Sequence, residues 1–263
     1  MTNNSIRELN EMTGARYINP YTDFGFKKLF GTPLNKELLI SFLNSLFEGK
    51  EVISDLTYLN GENLGDSYGD FYSTFAIQNQ GKKGIWDFNL KGVYTVAILD
   101  FVFPDNEYPD DSLRHEVKLV DVDDKHVFYD KLTFLYLEMP KFTKTEDELE
   151  TMYDKWLFVL HNLSCLMKRP AALQEHVFTR LFEQAEIARY SPKERQKYED
   201  SLKVYRDLKN VIDTAELKGQ KKGFEQGSIE ERKKIEKTMK ALHMSLEDIS
   251  KATGMSIDEL AGL

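Results

Sequence analysis

The sequence predicts an α/β (α+β) protein, built as a mixed sheet flanked by helices and followed by a helical C-terminal region. Three observations predict it. Residues 93–103 read Val-Tyr-Thr-Val-Ala-Ile-Leu-Asp-Phe-Val-Phe, in which only Asp100 is charged. A run that apolar, without clean alternation, suits a strand buried on both faces. Residues 132–139, Leu-Thr-Phe-Leu-Tyr-Leu-Glu-Met, have the same character and again carry a single carboxylate, Glu138. From Thr145 onward the chain reads as helix. Capping boxes stand at Thr145/Glu148, Ser191/Glu194, Ser228/Glu231 and Ser256/Glu259. The two apolar strands are expected together in the middle of one mixed sheet.

Taken in order, Thr22 or Asp23 caps a short helix that Gly31 ends. From Asn35, Leu38, Leu39, Phe42, Leu43, Leu46 and Phe47 recur at helical spacing on one stripe. Residues 51–60 read as a strand weakened by Ser54-Asp55. Residues 61–70 are a turn-rich decapeptide with three glycines, and 71–83 read as a helix. The acidic stretch 104–113 is a surface loop, and 115–120 and 126–129 are antiparallel strands joined by a turn at 121–125. Helices are expected over roughly 145–164, 170–189 and 191–217, with Trp156, Leu160, Leu173, Val177, Leu181 and Phe182 in the core. Residues 218–227 hold three glycines among lysines and read as a hinge. Residues 245–263 have helix-turn-helix spacing, with Gly254 at the turn and Leu246, Ile249, Met255 and Leu260 as apolar positions.

A chain of 263 residues with 41% hydrophobic and 30% charged residues can bury a substantial core. The expected organisation is a sheet-bearing core over 1–144, a helical subdomain over 145–217, and a basic hinge with a small helical tail over 218–263. No apolar run approaches the roughly 20 residues that span a bilayer, and 1–16 lack the apolar centre of a signal peptide. A cytoplasmic protein is the expectation. Cys165 stands alone, which excludes an intrachain disulfide and argues against a thiolate zinc site. The formal charge of −9 opposes broad attraction to nucleic acid and leaves room for a local basic face.

The five histidines are scattered, and none pairs with another at metal-ligand spacing. Dinucleotide-binding glycine motifs, phosphate loops and nucleophile elbows are missing from the sequence. Asp100 and Glu138, each alone in an apolar strand, are the notable pair. A carboxylate on a central strand can ligate magnesium; a strand-end acid bonded to a backbone amide is the plainer reading. Residues 218–240 carry eight Lys/Arg against four Glu and are suited to phosphate contact. By contrast, 256–263 carry Asp258 and Glu259 and no basic residue, which speaks against a DNA-reading helix.

Residues 19–31, Asn-Pro-Tyr-Thr-Asp-Phe-Gly-Phe-Lys-Lys-Leu-Phe-Gly, resemble the opening motif of the PD-(D/E)XK nuclease family transposases, also called recombination-promoting nucleases. So do residues 72–78 (Tyr-Ser-Thr-Phe-Ala-Ile-Gln), 93–103, 132–142 and Trp156, and the likeness runs over about 15–214. The resemblance implies a restriction-endonuclease-like core, a Mg2+ cofactor and cleavage of DNA phosphodiesters. DNA is thus the implied partner, with Lys27, Lys28, Lys221 and Lys222 as candidate nucleic-acid contacts. In that family the metal-binding acids lie on a hairpin, an Asp on one strand and Glu-x-Gln on the next. Here residues 61–70 occupy that interval, which is too short for such a hairpin and holds no Glu-x-Gln.

No residue is therefore assigned as catalytic or metal-binding, and Asp100, Glu138 and Asp23 are the remaining candidates. Two readings follow. One is a mobile-element DNA endonuclease whose catalysis is impaired. The other is a non-catalytic remnant that binds DNA or protein. Self-association is expected through an open sheet edge or the C-terminal helices.

Overall fold

The computed structural model describes residues 14–58, 91–103 and 112–261. The decapeptide 61–70 and the helix expected over 71–83 lie outside the described residues. Contacts divide the chain into two compact units, Met1–Leu202 and Lys203–Leu263.

The first unit opens on helix α1, Asp23–Phe30, capped by the Thr22 hydroxyl, which accepts from the Gly25 amide. Gly31 ends it, donating its N–H to the Lys27 carbonyl at 2.8 Å. Helix α2, Lys36–Phe47, buries Leu38, Phe42, Leu46 and Phe47, the stripe its spacing predicts. The strand expected over 51–60 does not form across the described residues 51–58. The Asn44 side chain satisfies both the amide and the carbonyl of Ile53, at 2.8 and 3.0 Å, and Asp55 pairs with Lys36. With its polar groups met locally, this segment has little need of a ladder.

Strands β1 (Val93–Leu99), β2 (Arg114–Val120) and β3 (Val127–Glu138) form one sheet in the order β1-β3-β2. β1 runs parallel to β3 and β2 antiparallel to it, so the sheet is mixed as expected. Among the described strands its centre is β3 rather than residues 93–103. β3 buries Leu132, Leu135 and Leu137, while β1 is half-buried for most of its length and flanks β3 on one side. The two short strands expected at 126–129 and 132–139 are one strand of 12 residues. The break shows only as register shifts opposite Leu119 and Val120.

The capping box at Thr145 opens a short 3-10 turn, Glu146–Glu148. Helix α3, Met152–Asn162, begins later, under a second box formed by Thr151 and Asp154. Helix α4 covers His176–Ala185 and buries Phe178, Leu181, Phe182 and Ala185, while Val177, expected in the core, is half-buried. Trp156 on α3 is fully buried and touches the rings of Phe30 on α1, Phe42 on α2 and Phe178 on α4, with centroids 5.8, 5.6 and 5.1 Å away. Its indole N–H donates to Ser41 Oγ. Four helices thus meet on one indole.

Helix α5 runs unbroken from Pro192 to Ala241, and the division between the units falls within it. The Ser191/Glu194 box starts it as expected. The hinge expected over 218–227 and the new start at Ser228 are not seen. Gly219, Gly223 and Gly227 each cost about 1 kcal/mol of helix propensity, but strong helix formers surround them. In the second unit, α6 (Leu246–Thr253) and α7 (Ile257–Ala261) form the expected small hairpin. Gly254 turns it at φ +70°, with Ile249 and Leu260 buried. Lys240 ties it to α5 by donating to the Leu260 carbonyl at 2.6 Å. Among the described residues no helix is long and apolar enough to cross a membrane.

The motif 19–31 shows why its residues belong together. Asn19 donates its backbone N–H to the Tyr198 hydroxyl and turns its side chain onto the Tyr21 amide, each at 2.9 Å. A Cβ at Gly25 would stand 2.1 Å from the Asn19 carbonyl oxygen, so only glycine fits this approach. Gly25→Ala should therefore force α1 away from the 19–22 turn. Overpacking of this kind costs about 1–3 kcal/mol. Urea denaturation followed by circular dichroism should show at least that loss; unchanged stability would mean that this approach is not a constraint.

Candidate functional site

A nuclease of the expected kind needs carboxylates that converge. The first residue of α1, Asp23, does not lead to such a site. Thr22 takes the cap, and Asp23 sits in the first turn, 72% exposed and paired with Lys27 at 2.7 Å. Its charge favours the helix N-terminus. Lys27 is exposed, whereas Lys28 is built into the fold. Lys28 lies 2.7 Å from Glu194 and 4.9 Å above the Tyr190 ring. Glu194 is held down at about 2 by that ammonium first, then by the Ser191 amide and hydroxyl. Lys221 and Lys222 stand exposed on α5 in the second unit.

Asp100 and Glu138 do come to the same end of the sheet. Leu99, the last residue of β1, pairs with Glu138, the last of β3, and Asp100 is the next residue along. Glu138 is 1% exposed. One carboxylate oxygen accepts from the Phe103 amide at 2.5 Å, and the other lies 2.9 Å from His115 Nε2 and in an ion pair with Lys141. Burial alone pushes this acid up. Lys141, the Phe103 amide and His115 overcome it and hold Glu138 well below the carboxylate range, at about 2. The ionised oxygen accepts, so His115 presents Nε2–H. The Glu138 amide in turn donates to the Leu113 carbonyl at 2.9 Å. One side chain and its amide thus join the exit of β1, the entry of β2, the end of β3 and the turn Met139–Lys141.

A metal ion is a poor fit to these residues. Glu138 already accepts from an ammonium, an imidazole and an amide, and a divalent cation would have to displace two of those donors. Asp23 is at the solvent end of α1, and Asp154 is spent on the α3 capping box and on Lys144 at 2.7 Å. Among the described residues no group of three His, Cys, Asp or Glu side chains is placed to hold a metal. Glu62, Asp66 and Asp70 lie outside the described residues. The plain reading of Glu138, a strand-end acid on a backbone amide, is the one the geometry supports. His115 and Lys141 went unassigned in the sequence reading. The signal for Lys141 is its place three residues after an isolated acid; His115 carries no such signal, because only the register of β2 on β3 sets it across from Tyr136, two residues before Glu138.

The mixed sheet packed with helices defines an α+β protein, and the buried strand acid Glu138 is held by an amide, an imidazole and an ammonium. The chain belongs to the PD-(D/E)XK nuclease family transposases, whose family model matches residues 20–71 and 69–215. No curated protein and no solved structure matches the chain. Family membership indicates a nuclease- or transposase-related function.

Glu138→Gln should keep the shape of the clasp and remove its charge. The acid's depressed value stabilises the fold above its ordinary value of 4.5, and this contribution is lost as pH falls from there toward about 2. The variant should be less stable at pH 7 by roughly 3 kcal/mol, because Lys141 loses its counter-charge and His115 loses an ionised acceptor. Its stability should also fall less steeply than the native chain's between pH 4.5 and pH 2.5. Urea titrations at these pH values check both; parallel pH curves would remove Glu138 as the linked group.

Proposed function

We propose that this chain is a DNA-binding member of the nuclease family transposases in which phosphodiester hydrolysis is impaired. The observation that carries the reading is where the family match divides. Its two stretches meet at residues 69–71, at the edge of the decapeptide 61–70. A match that divides at this point supports a missing internal stretch. The resemblance puts the hairpin of metal acids in this interval, and the ten residues present hold no Glu-x-Gln. The saturated surroundings of Glu138 support the same reading, since two fixed carboxylates are needed to hold a metal that activates water and steadies the leaving oxygen. Mg2+ is the family's implied cofactor.

DNA contact is assigned to the basic stretch of α5, where Lys221 and Lys222 stand exposed among eight Lys/Arg and four Glu over 218–240. Purified chain incubated with supercoiled plasmid and Mg2+ or Mn2+ should cut no more than a metal-free control. Binding to a fluorescent duplex should weaken with salt. Replacing Lys221 and Lys222 by Ala should lower the slope of log K against log[salt] by about 1–2. Metal-dependent cleavage abolished by Asp100→Ala or Glu138→Ala would overturn the impairment. A salt slope untouched by the double substitution would remove α5 as the contact.

A further inference from the structure

β2 is an outer strand of the sheet, and its exposed half carries a pattern that complements itself. From Glu116 to Val120 every residue of the strand is exposed, including Val117, Leu119 and Val120 at 45%, 47% and 50%. Beyond it, Val122, Val127 and Phe128 extend the exposed apolar surface to the hairpin tip. Among the described residues no strand pairs with the outer edge of β2. An exposed apolar edge presents backbone donors and acceptors to any chain that can match them, and proteins commonly blunt such edges. Here the central triplet is Glu116-Val117-Lys118, in the part of β2 that pairs with β3 without a register shift. Glu116 and Lys118 project to the same face, their charged groups 3.7 Å apart.

We propose that β2 docks against β2 of a second copy of this chain, antiparallel and centred on Val117. In that register Val117 meets its own equivalent across the two-fold axis. Glu116 of each copy faces Lys118 of the other, so both pairs are of opposite charge. A self-complementary edge is what a closed two-fold dimer requires, because each surface is its own partner. On either side Leu119 faces His115 of the other copy and Val120 faces its Arg114. A one-residue shift destroys the match: Glu116 then faces Val117 and Lys118 loses its counter-charge. An arbitrary strand from another protein would have no reason to carry this symmetry. β1, the other outer strand of the described sheet, is half-buried, and its Tyr94 ring packs on Phe47 of α2.

Light scattering should give the full chain twice its 30.6 kDa mass at micromolar concentration. Glu116→Lys sets two like charges opposite each other at both pairs and should weaken association by roughly tenfold or more. Adding Lys118→Glu restores opposite charges and should recover the dimer. Because Glu116 also pairs with Arg114 and Lys50, thermal melts must show that each variant is folded. A second measurement does not depend on those charges. In a Cys165→Ser background, Val117→Cys places two thiols across the axis, on backbones about 4.5–5.5 Å apart, within disulfide reach. Oxidation should cross-link this variant at least tenfold faster than Val122→Cys at the tip. A monomeric native chain overturns the proposal. So does a dimer that ignores Glu116→Lys and cross-links no faster through residue 117 than through 122.

Discussion

A buried charge must be met on all sides, and Glu138 imposes that requirement on four segments at once. Its carboxylate draws in the Phe103 amide, the His115 ring and the Lys141 ammonium, and its own amide is held by Leu113. These partners come from the exit of β1, the entry of β2 and the turn that leaves β3. Removing any one leaves a polar group buried without its bond, which costs more than the bond itself contributes. The end of the sheet is therefore fixed as a unit. The same saturation that makes Glu138 a good tie makes it a poor metal ligand.

The motif that most clearly marks the family is likewise given over to folding. Asn19 organises the 19–22 turn, Thr22 caps α1, Gly25 admits the Asn19 carbonyl, and Lys28 locks onto Glu194. The Phe24 amide donates to Ser201 on α5, so the motif also anchors the start of that helix. Membership of the family is a statement about this framework. Chemistry belongs to particular side chains in particular geometry, and a framework can persist without them.

Much of the framework was legible because it rests on local rules. The stripe on α2, the boxes at Ser191 and Ser256, the end of α1 at Gly31 and the left-handed turn at Gly254 each follow from a few neighbouring residues. Trp156 and Leu181 could be placed in the core by size and spacing. Local rules misread 218–227, where three glycines suggest a break, because no competing cap or turn offers the backbone better bonds than the helix. They also misread 51–58, where the Asn44 side chain, remote in pattern but adjacent in space, satisfies the groups a strand partner would have met.

For this protein the sequence by itself determined the class of fold, the mixed character of the sheet and the two acids that stand apart in apolar runs. Composition, periodicity and capping are properties of short stretches, and they survive being read in isolation. Only the tertiary structure decided which strand is central. That depends on how many neighbours a strand has, and among the described strands β3 has two while being no more apolar than 93–103. Only the structure decided that Glu138 is a tie. Its role is set by His115, 23 residues away, and by Phe103, 35 residues away. An isolated acid in a strand carries the same letter whether it meets donors or a metal, and the difference lies entirely in what the fold brings to it.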